Sequence, residues 1–338
     1  MMKTALSRVA LVVVICTATT IAASGQTSTT TGKFEGAELQ GQPATAVTFN
    51  FTSFDYPGAT GTGAIGINSA GIIVGVYSVG NRSHGFARLP NGTFLRIDYP
   101  GSTYTDVYAI NDSNQAVGVY EDSSNPPQLH GFLFSPPNQF TSIDYPGGSM
   151  TRAYGINNSG QIVGQLDDSG QSIGFSLLDG TYTNVVYPDA FNTDASGINS
   201  AGVITGYWTN GSGTAQGFIL TSATNGTFSE FDYPGAVSTA ALGINDQSQV
   251  VGSYTDNDGV GHGWGGFPAK NQYITIDYPG SIACEVAGIT NAGHLVGEYS
   301  DQNNMQHGFL AVPQSGKPYV TVTTPSGLTS NVPFQVLP

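Results

Sequence analysis

The sequence predicts an all-β fold, a six-bladed β-propeller whose blades are four-stranded antiparallel sheets. A Tyr-Pro pair recurs six times, at steps of 43, 46, 42, 46 and 45 residues, and a fixed period of about 40–50 residues is typical of solenoids, propellers and arrays. Each period contains four short runs rich in Val, Ile, Phe and Tyr, separated by Gly, Asn, Asp and Pro, which is the pattern of strands and turns. Gly supplies 46 of the 338 residues, and this frequency argues against helices.

The third unit, residues 152–188, shows the order of elements within a period. It reads RAYGINNSGQIVGQLDDSGQSIGFSLLDGTYTNVVYP. A first strand leads into a G-I-N-x-x-G turn. After this turn come a V-G-x-Y strand and a polar loop. A third strand follows, which begins with H-G-F in most copies, and then an aromatic strand that usually ends in D-Y-P-G. Four short antiparallel strands make one propeller blade, and propellers contain about 4–8 blades. We expect Gly164 and Gly174 to allow close backbone approach where blades converge.

The first 24 residues have the organisation of a secretory signal peptide. Lys3 and Arg8 form a basic region, an apolar stretch covers 10–23, and Ala22-Ala23-Ser24 is a small-residue cleavage site. The apolar stretch is shorter than the roughly 20 residues that a membrane span needs. We therefore predict a secreted chain, extracellular or periplasmic, without a membrane span after processing. Residues 25–47 are polar and rich in Thr and Gly, and we predict a disordered lead-in there.

The two ends of the repeat region predict how the ring closes. Residues 49–57 read FNFTSFDYP, which matches the fourth strand of a blade, while the sixth unit has only T-P-S-G at 324–327 where D-Y-P-G is expected. We predict that the propeller covers 48–317 and that the N-terminal strand completes the last blade, which removes two open edges. The competing arrangement uses 319–325 as the outer strand of that blade. Residues 318–338 are predicted as a β hairpin or tail. They resemble the final hairpin of an immunoglobulin-like TIG domain.

Composition excludes several classes of partner. Without the first 24 residues the chain has 7 basic and 23 acidic residues, and it contains no basic run. Such a chain is a poor binder of nucleic acids or anionic membranes. Cys284 is then the only cysteine, so the core must stabilise the exported domain without disulfides. We expect a monomer.

The repeated motifs resemble those of a known family. The segments HGFARLPNGTFLRIDYPG and AYGINNSGQIVG are similar to the HAF-type bacterial extracellular repeats, which share the G-I-N-x-x-G-x-V-V-G turn and the His-Ala/Gly-Phe strand. The resemblance covers about 49–312. This chain has D-Y-P-G where many relatives carry a Leu-Gly-rich corner. The resemblance implies a repeat propeller and export, and it supplies no catalytic residues because the function of that family is uncharacterised.

Repetition separates structural residues from candidate functional ones. A residue present in every blade is needed for each blade to fold, whereas a residue that breaks the symmetry is a better functional candidate. The histidines of H-G-F lie too far apart around a ring to share one ion at bond lengths of ~2 Å, so we predict hydrogen bonds within each blade. A ring of Thr predicts hydrogen bonds between blades. These two sets are His84, His130, His262 and His307, and Thr62, Thr105, Thr151, Thr193 and Thr239 with Cys284 in the sixth place.

One position breaks the repeat symmetry at the predicted mouth of the channel. It lies three residues before each G-I-N glycine, where the innermost strand of the blade begins. We predict that Asp106, Arg152, Asp194 and Glu285 bind a ligand there. Around the ring the residues are Gly63, Asp106, Arg152, Asp194, Ala240 and Glu285.

Loops between the second and third strands lie on the same face and make it acidic. Asp256-Asn257-Asp258-Gly259 resembles the start of a calcium loop but lacks the later Glu, so Ca²⁺ is the one cofactor considered, with Asp256 and Asp258 as ligands. Trp208 and Trp264 are either surfaces for sugar rings or core residues. The alternative to a site is a solvated acidic rim that keeps the protein soluble. The loop-face candidates are Asp122, Asp168, Trp208, Asp256, Asp258 and Asp301.

The sequence favours a binding module over an enzyme. It contains no H-E-x-x-H motif, G-x-S-x-G elbow, P-loop or Rossmann fingerprint in context. The expected ligand is a carbohydrate or another extracellular polymer or protein, with assistance from a cation. One alternative is a polysaccharide hydrolase or lyase that uses Asp106, Asp194 or Glu285 as acid and base, with Arg152 holding a substrate carboxylate. The other alternative is a structural repeat protein of the envelope.

Overall fold

A computed structural model describes residues 29–32, 48–168, 170–314, 319–323 and 329–333. Two strands precede the first complete blade: β1 (Thr29–Gly32) and β2 (Phe49–Phe54). Blade 1 contains β3 (Gly61–Ile67), β4 (Ile73–Val79), β5 (Arg82–Arg88) and β6 (Phe94–Ile97). Blade 2 contains β7 (Tyr104–Ile110), β8 (Ala116–Glu121), β9 (Leu129–Ser135) and β10 (Gln139–Ile143). Blade 3 contains β11 (Met150–Ile156), β12 (Ile162–Asp168), β13 (Gln171–Leu178) and β14 (Thr181–Val185).

The second half of the chain repeats this arrangement. Blade 4 contains β15 (Asn192–Ile198), β16 (Ile204–Thr209), β17 (Ala215–Leu220) and β18 (Phe228–Phe231). Blade 5 contains β19 (Ser238–Ile244), β20 (Val250–Thr255), β21 (Gly261–Phe267) and β22 (Gln272–Thr275), with a 3-10 helix at Pro268–Lys270. Blade 6 contains β23 (Ala283–Ile289), β24 (Leu295–Ser300) and β25 (Gln306–Pro313). Two further strands follow, β26 (Tyr319–Thr323) and β27 (Thr329–Pro333).

The predicted six-bladed β-propeller is confirmed. In blades 1 to 5, four consecutive strands pair in antiparallel order to form one sheet. The first strands of successive blades contact one another around the ring, and β23 of blade 6 contacts β3 of blade 1. The residues that the structure describes contain no helix long and apolar enough to span a membrane.

The sheet of blade 6 includes a strand from before blade 1. β2 pairs with β25 in antiparallel register, from Phe49 opposite Pro313 to Phe54 opposite Gly308, and β1 pairs with the other edge of β2. β26 and β27 pair with each other in a separate two-stranded sheet. The predicted signal peptide, and the rest of the predicted lead-in apart from β1 (Thr29–Gly32), lie outside the described residues.

The glycine of V-G-x-Y is required by a bulge that occurs in every blade. In blade 3 the register between β11 and β12 shifts between Ala153 and Gly155. A Cβ on Gly164 would lie 2.0 Å from the carbonyl oxygen of Arg152 in the same blade, and one on Gly174 would lie 2.7 Å from that of Val185. These glycines therefore permit close approach within a blade, which corrects the expectation that they do so between blades.

The glycine of G-I-N is the one that lets neighbouring blades approach. A Cβ on Gly197 would lie 2.7 Å from the carbonyl oxygen of Leu242, which belongs to the next blade, and a Cβ on Gly243 would lie 2.7 Å from that of Ala287. The innermost strands of neighbouring blades therefore pack backbone against backbone at these glycines, which leaves no room for a side chain between the two strands.

The core lies between blades. One cluster joins Val74 and Ile97 of blade 1 to Val107 and Phe132 of blade 2, and equivalent clusters fill the other contacts. Neighbouring blades are also linked by hydrogen bonds. In blades 1 to 5 the Thr of this ring accepts the backbone N–H of the Tyr in the preceding Tyr-Pro pair at 2.9–3.1 Å, as the sequence predicts, and the Cys284 sulfur takes this place in the sixth.

Candidate functional site

The symmetry-breaking ring is paired with a second ring that we did not predict. The x residue of each V-G-x-Y strand lies directly opposite a ring residue on the neighbouring strand of the same blade. Sequence reasoning missed this second ring, although it breaks the repeat symmetry in the same way. The pairs are Gly63 with Val76, Asp106 with Val119, Arg152 with Gln165, Asp194 with Tyr207, Ala240 with Ser253, and Glu285 with Glu298.

Asp106 is buried and held by three hydroxyl groups. Ser83 of blade 1 donates to one carboxylate oxygen, and Tyr104 and Tyr108 donate to the other. Burial raises the pKa of Asp106 to about 6, although the three hydrogen bonds act in the opposite direction. The hydrogen bond from Ser83 crosses between blades, so Asp106 ties blade 1 to blade 2.

Glu285 and Glu298 form a pair of carboxyl groups on blade 6. Both side chains are partly buried, and the Ser253 hydroxyl of blade 5 donates to Glu285 at 3.1 Å. Burial and then the negative charge of Glu285 raise the pKa of Glu298 well above its ordinary value. Gly63 makes room for this group, because a Cβ there would lie 2.3 Å from the Glu298 carboxylate oxygen Oε2. The Glu298 carboxyl group therefore keeps its proton to a higher pH than an exposed glutamate does.

Arg152 is the one positive charge of the ring. Its guanidinium is buried and lies 3.5 Å from the Asp167 carboxylate. The Gln165 amide links this pair to Tyr154, since it donates to Asp167 at 3.3 Å and accepts from the Tyr154 hydroxyl at 2.8 Å. The buried guanidinium and the partly buried carboxylate are therefore held in place by additional hydrogen bonds.

The predicted ring residues are therefore brought to one end of the axis, but several contact neighbouring blades instead of an open mouth. Asp106 and Glu285 accept hydrogen bonds from the preceding blades, and Asp194 is buried. The ring of four predicted residues also omitted Glu298, whose pKa is raised by burial and by the charge of Glu285.

A concave cavity lies at the opposite end of the axis, at the G-I-N turns. Its volume is about 140 Å³. Tyr108 and Tyr154, whose ring centroids are 5.3 Å apart, lie between this cavity and the two rings. All six blades contribute equally to the wall. The lining segments are 65–69, 108–112, 154–158, 196–200, 242–246 and 287–291.

The H-G-F histidines bond within their blades, as predicted. In each of the four, the ring Nδ1–H donates to the carboxylate of the Asp of a D-Y-P-G corner, at 2.6–2.9 Å. In three blades a loop Asp faces the second ring nitrogen at 3.3–3.7 Å, so the histidine lies between two carboxylates. The loop acids are Asp122 with His130, Asp256 with His262, and Asp301 with His307.

Three of the loop-face candidates, Asp122, Asp256 and Asp301, accept backbone hydrogen bonds within their own loops. Asp256 accepts the backbone N–H groups of Asp258 and Val260 at 2.9 and 2.8 Å, which closes its turn. Within the described ranges, no group of three or more His, Cys, Asp and Glu side chains is arranged to hold a metal ion. Asp168 is exposed. Trp208 stacks on Tyr187 at 4.6 Å, in the place where other blades stack Tyr on Tyr.

His262 predicts a pH-dependent part of the stability. Burial alone would lower its pKa, but hydrogen bonds and negative charge from Asp277 and Asp256 raise it above 6.5. The folded state therefore holds this proton more tightly than the unfolded chain does. The resulting stabilisation is complete below about pH 6.5 and is lost as the pH rises through the folded pKa. Urea denaturation gives the free energy of unfolding of the wild type and of His262→Gln. We expect the wild type to be the more stable by a margin that is smaller at pH 8.5 than at pH 6.

His294 provides a control of opposite sign. Burial lowers its pKa, so the folded state favours the neutral ring and loses stability as the pH falls. The free energy of unfolding of the wild type relative to His294→Gln should therefore decrease toward acid pH. If the stability difference from the wild type changed with pH in the same way for His262→Gln and His294→Gln, the pKa directions given for the two histidines would both be contradicted.

Comparisons with known proteins bear on the fold alone. No protein-family profile matches the chain, and no curated protein matches it. A virginiamycin B lyase from Staphylococcus aureus is 12% identical with a TM-score of 0.45, over 85% of this chain and 89% of that one. TolB from Acinetobacter baumannii is 10% identical with a TM-score of 0.48, over 76% and 65%. A gluconolactonase from Xanthomonas campestris is 13% identical with a TM-score of 0.48, over 79% and 90%. The assignment of six blades rests on the strand pairing of the chain itself.

Proposed function

We propose that this chain is an extracellular binding module that binds a carbohydrate at the end of the axis where the two rings lie. The observation that carries the proposal is the pair formed by Glu285 and Glu298. It breaks the six-fold repeat, it is partly buried, and burial together with the charge of Glu285 raises the pKa of Glu298. The predicted signal peptide and the resemblance to HAF-type extracellular repeats support a ligand found outside the cell.

The chemistry of the pair suits a polyhydroxylated ligand. A protonated Glu298 carboxyl donates a hydrogen bond, while an ionised Glu285 accepts one, and a sugar hydroxyl does both. Sites that fix orientation with a few polar groups are typical of small-ligand binding. A bound Ca²⁺ between ligand hydroxyls and the loop acids is a further part of the proposal, and binding measured with and without calcium tests it.

Glycan-array binding followed by titration calorimetry tests the site. Glu298→Gln keeps a neutral hydrogen-bond donor, so we expect its affinity to stay within about twofold of the wild type. Glu298→Ala removes the donor and should weaken binding about tenfold, since a hydrogen bond to a charged or buried group contributes about 1.5 kcal/mol. Glu230→Gln, on the exposed face of β18 (Phe228–Phe231), is the matched control and should leave binding unchanged. No binding by the wild type with or without calcium, or equal binding by Glu298→Ala, would contradict the proposal.

The same pair favours a second candidate function, the cleavage of a polysaccharide by hydrolysis or by elimination. Two neighbouring carboxyl groups with separated pKa values provide an acid and a base. In this case Glu298 is the acid and Glu285 the base, and Arg152 orients a substrate carboxylate. Glu298→Gln separates the two functions, because it removes the acid and should abolish turnover while binding persists. Absence of turnover by the wild type across a polysaccharide screen leaves binding as the function.

A further inference from the structure

The six blades form two similar halves at the end of the axis that carries the cavity. The residue after each Asn or Thr of the G-I-N turn is Ser, Asp, Asn in blades 1 to 3 and again Ser, Asp, Asn in blades 4 to 6. The backbone follows the same pattern, because Asn114 of blade 2 and Ser248 of blade 5 adopt positive φ of 59° and 61° where the other four turns have glycine. This end therefore has an approximate two-fold axis. The residues are Ser69, Asp112 and Asn158, and Ser200, Asp246 and Asn291.

This symmetry places two carboxylates on opposite sides of the cavity. Asp112 belongs to blade 2 and Asp246 to blade 5, which are three blades apart in a ring of six, and both side chains line the cavity and are exposed. Asp112 accepts from the backbone N–H of Ser69 and the amide of Asn158, at 2.9 and 2.8 Å. Asp246 accepts the equivalent hydrogen bonds from Ser200 and Asn291, both at 2.8 Å.

Both carboxylates are ionised at neutral pH. Burial acts to raise the pKa of each, but the hydrogen bonds outweigh burial and lower it. Hydrogen bonds from neighbouring blades hold the two carboxylates, so both charges stay beside the opening of the cavity. Two negative charges held in this way across one opening attract a ligand with two positive charges.

The cavity below the carboxylates has a different character. Ile65, Leu242 and Ala287 are buried and line its inner part together with the two tyrosines, Tyr108 and Tyr154. Its volume of about 140 Å³ is below the roughly 300–1,000 Å³ of pockets that bind drug-sized ligands. The ligand is therefore small, with an apolar middle and charged ends.

We propose that this cavity is a second binding site, independent of the carbohydrate site, and that it takes a linear aliphatic diammonium ion. One ammonium group contacts Asp112, the other contacts Asp246, and the methylene chain lies over the apolar inner part. A single metal ion fits less well, because it requires several ligands around one point, whereas these carboxylates lie on opposite blades and already accept hydrogen bonds.

Titration calorimetry on the full chain at low ionic strength tests the proposal. The probes are 1,4-diaminobutane and 1,6-diaminohexane, with butylamine and butane-1,4-diol as the singly charged and neutral comparisons. We expect the better of the two diamines to bind at least about fivefold more tightly than butylamine, and the diol to give no signal. Asp112→Asn and Asp246→Asn should each weaken diamine binding about fivefold, as expected for loss of one exposed ion pair.

The control is Asp179→Asn. Asp179 is exposed, lies outside the cavity and adopts a positive φ that Asn also tolerates, so this variant changes net charge equally and should bind diamines like the wild type. Circular dichroism and the melting temperature verify that each variant folds. The comparison of the four probes is made on the wild type and does not depend on the folding of any variant. Equal affinity for butylamine and the diamines, binding of Mg²⁺ or Ca²⁺ alone, or equal weakening by Asp179→Asn would overturn the proposal. Loss of diamine binding with intact glycan binding, or the reverse, separates the two sites.

Discussion

Phe51→Ala should lower the free energy of unfolding by about 3–5 kcal/mol, the range observed for removing a buried phenyl ring. Phe51 is fully buried in β2 (Phe49–Phe54), and its ring lies 5.6 Å from that of Phe309 in blade 6 and 5.6 Å from that of Tyr278, in the link between blades 5 and 6. The substitution therefore opens a cavity where the N-terminal strand packs on the last blade. Urea denaturation followed by Trp fluorescence measures the change.

Phe191→Ala is the matched control, because Phe191 is 47% exposed in a loop before β15 (Asn192–Ile198). Its removal should change the free energy of unfolding by less than about 0.5 kcal/mol. The pair of variants also tests how blade 6 is completed. If residues 319–325 supplied its outer strand instead, Phe51→Ala would be as mild as Phe191→Ala.

Gly206→Ala should destabilise the protein by about 3 kcal/mol, because the added methyl group meets backbone and not a flexible side chain. A Cβ at this position would lie 1.9 Å from the carbonyl oxygen of Asp194 and 2.9 Å from the Phe218 ring. Relief requires movement of β15 (Asn192–Ile198) away from β16 (Ile204–Thr209), across the bulge between Ala195 and Gly197. The melting temperature and the urea midpoint should both fall.

Gly211→Ala in the same blade isolates this effect. Nothing lies within 4 Å of a Cβ on Gly211, and its φ is outside the left-handed region, so the substitution should be neutral or slightly stabilising. A Gly206→Ala protein as stable as Gly211→Ala would show that the bulge tolerates a side chain, and the repeated V-G-x-Y glycine would then need another explanation.

Residues that recur in every period were predictable, because each blade must satisfy the same local requirements. The Thr that accepts the N–H of a neighbouring Tyr, and the histidine that bonds the D-Y-P-G aspartate, follow from this reasoning. Glu298 could also have been predicted from the sequence. Its position in V-G-x-Y varies between blades, and applying the symmetry criterion to the second strand as well as the first would have selected it.

The amino-acid sequence by itself determined the strand content, the six blades and the repeated hydrogen bonds, since these depend on short-range patterns and their spacing. Only the tertiary structure decided which symmetry-breaking residues meet and where open space remains. Ser83 reaches Asp106 from the preceding blade, and the cavity lies at the G-I-N end and not at the predicted mouth. The physical reason is that side-chain direction and free volume near the axis depend on how the twisted blades pack against one another, which no single period encodes.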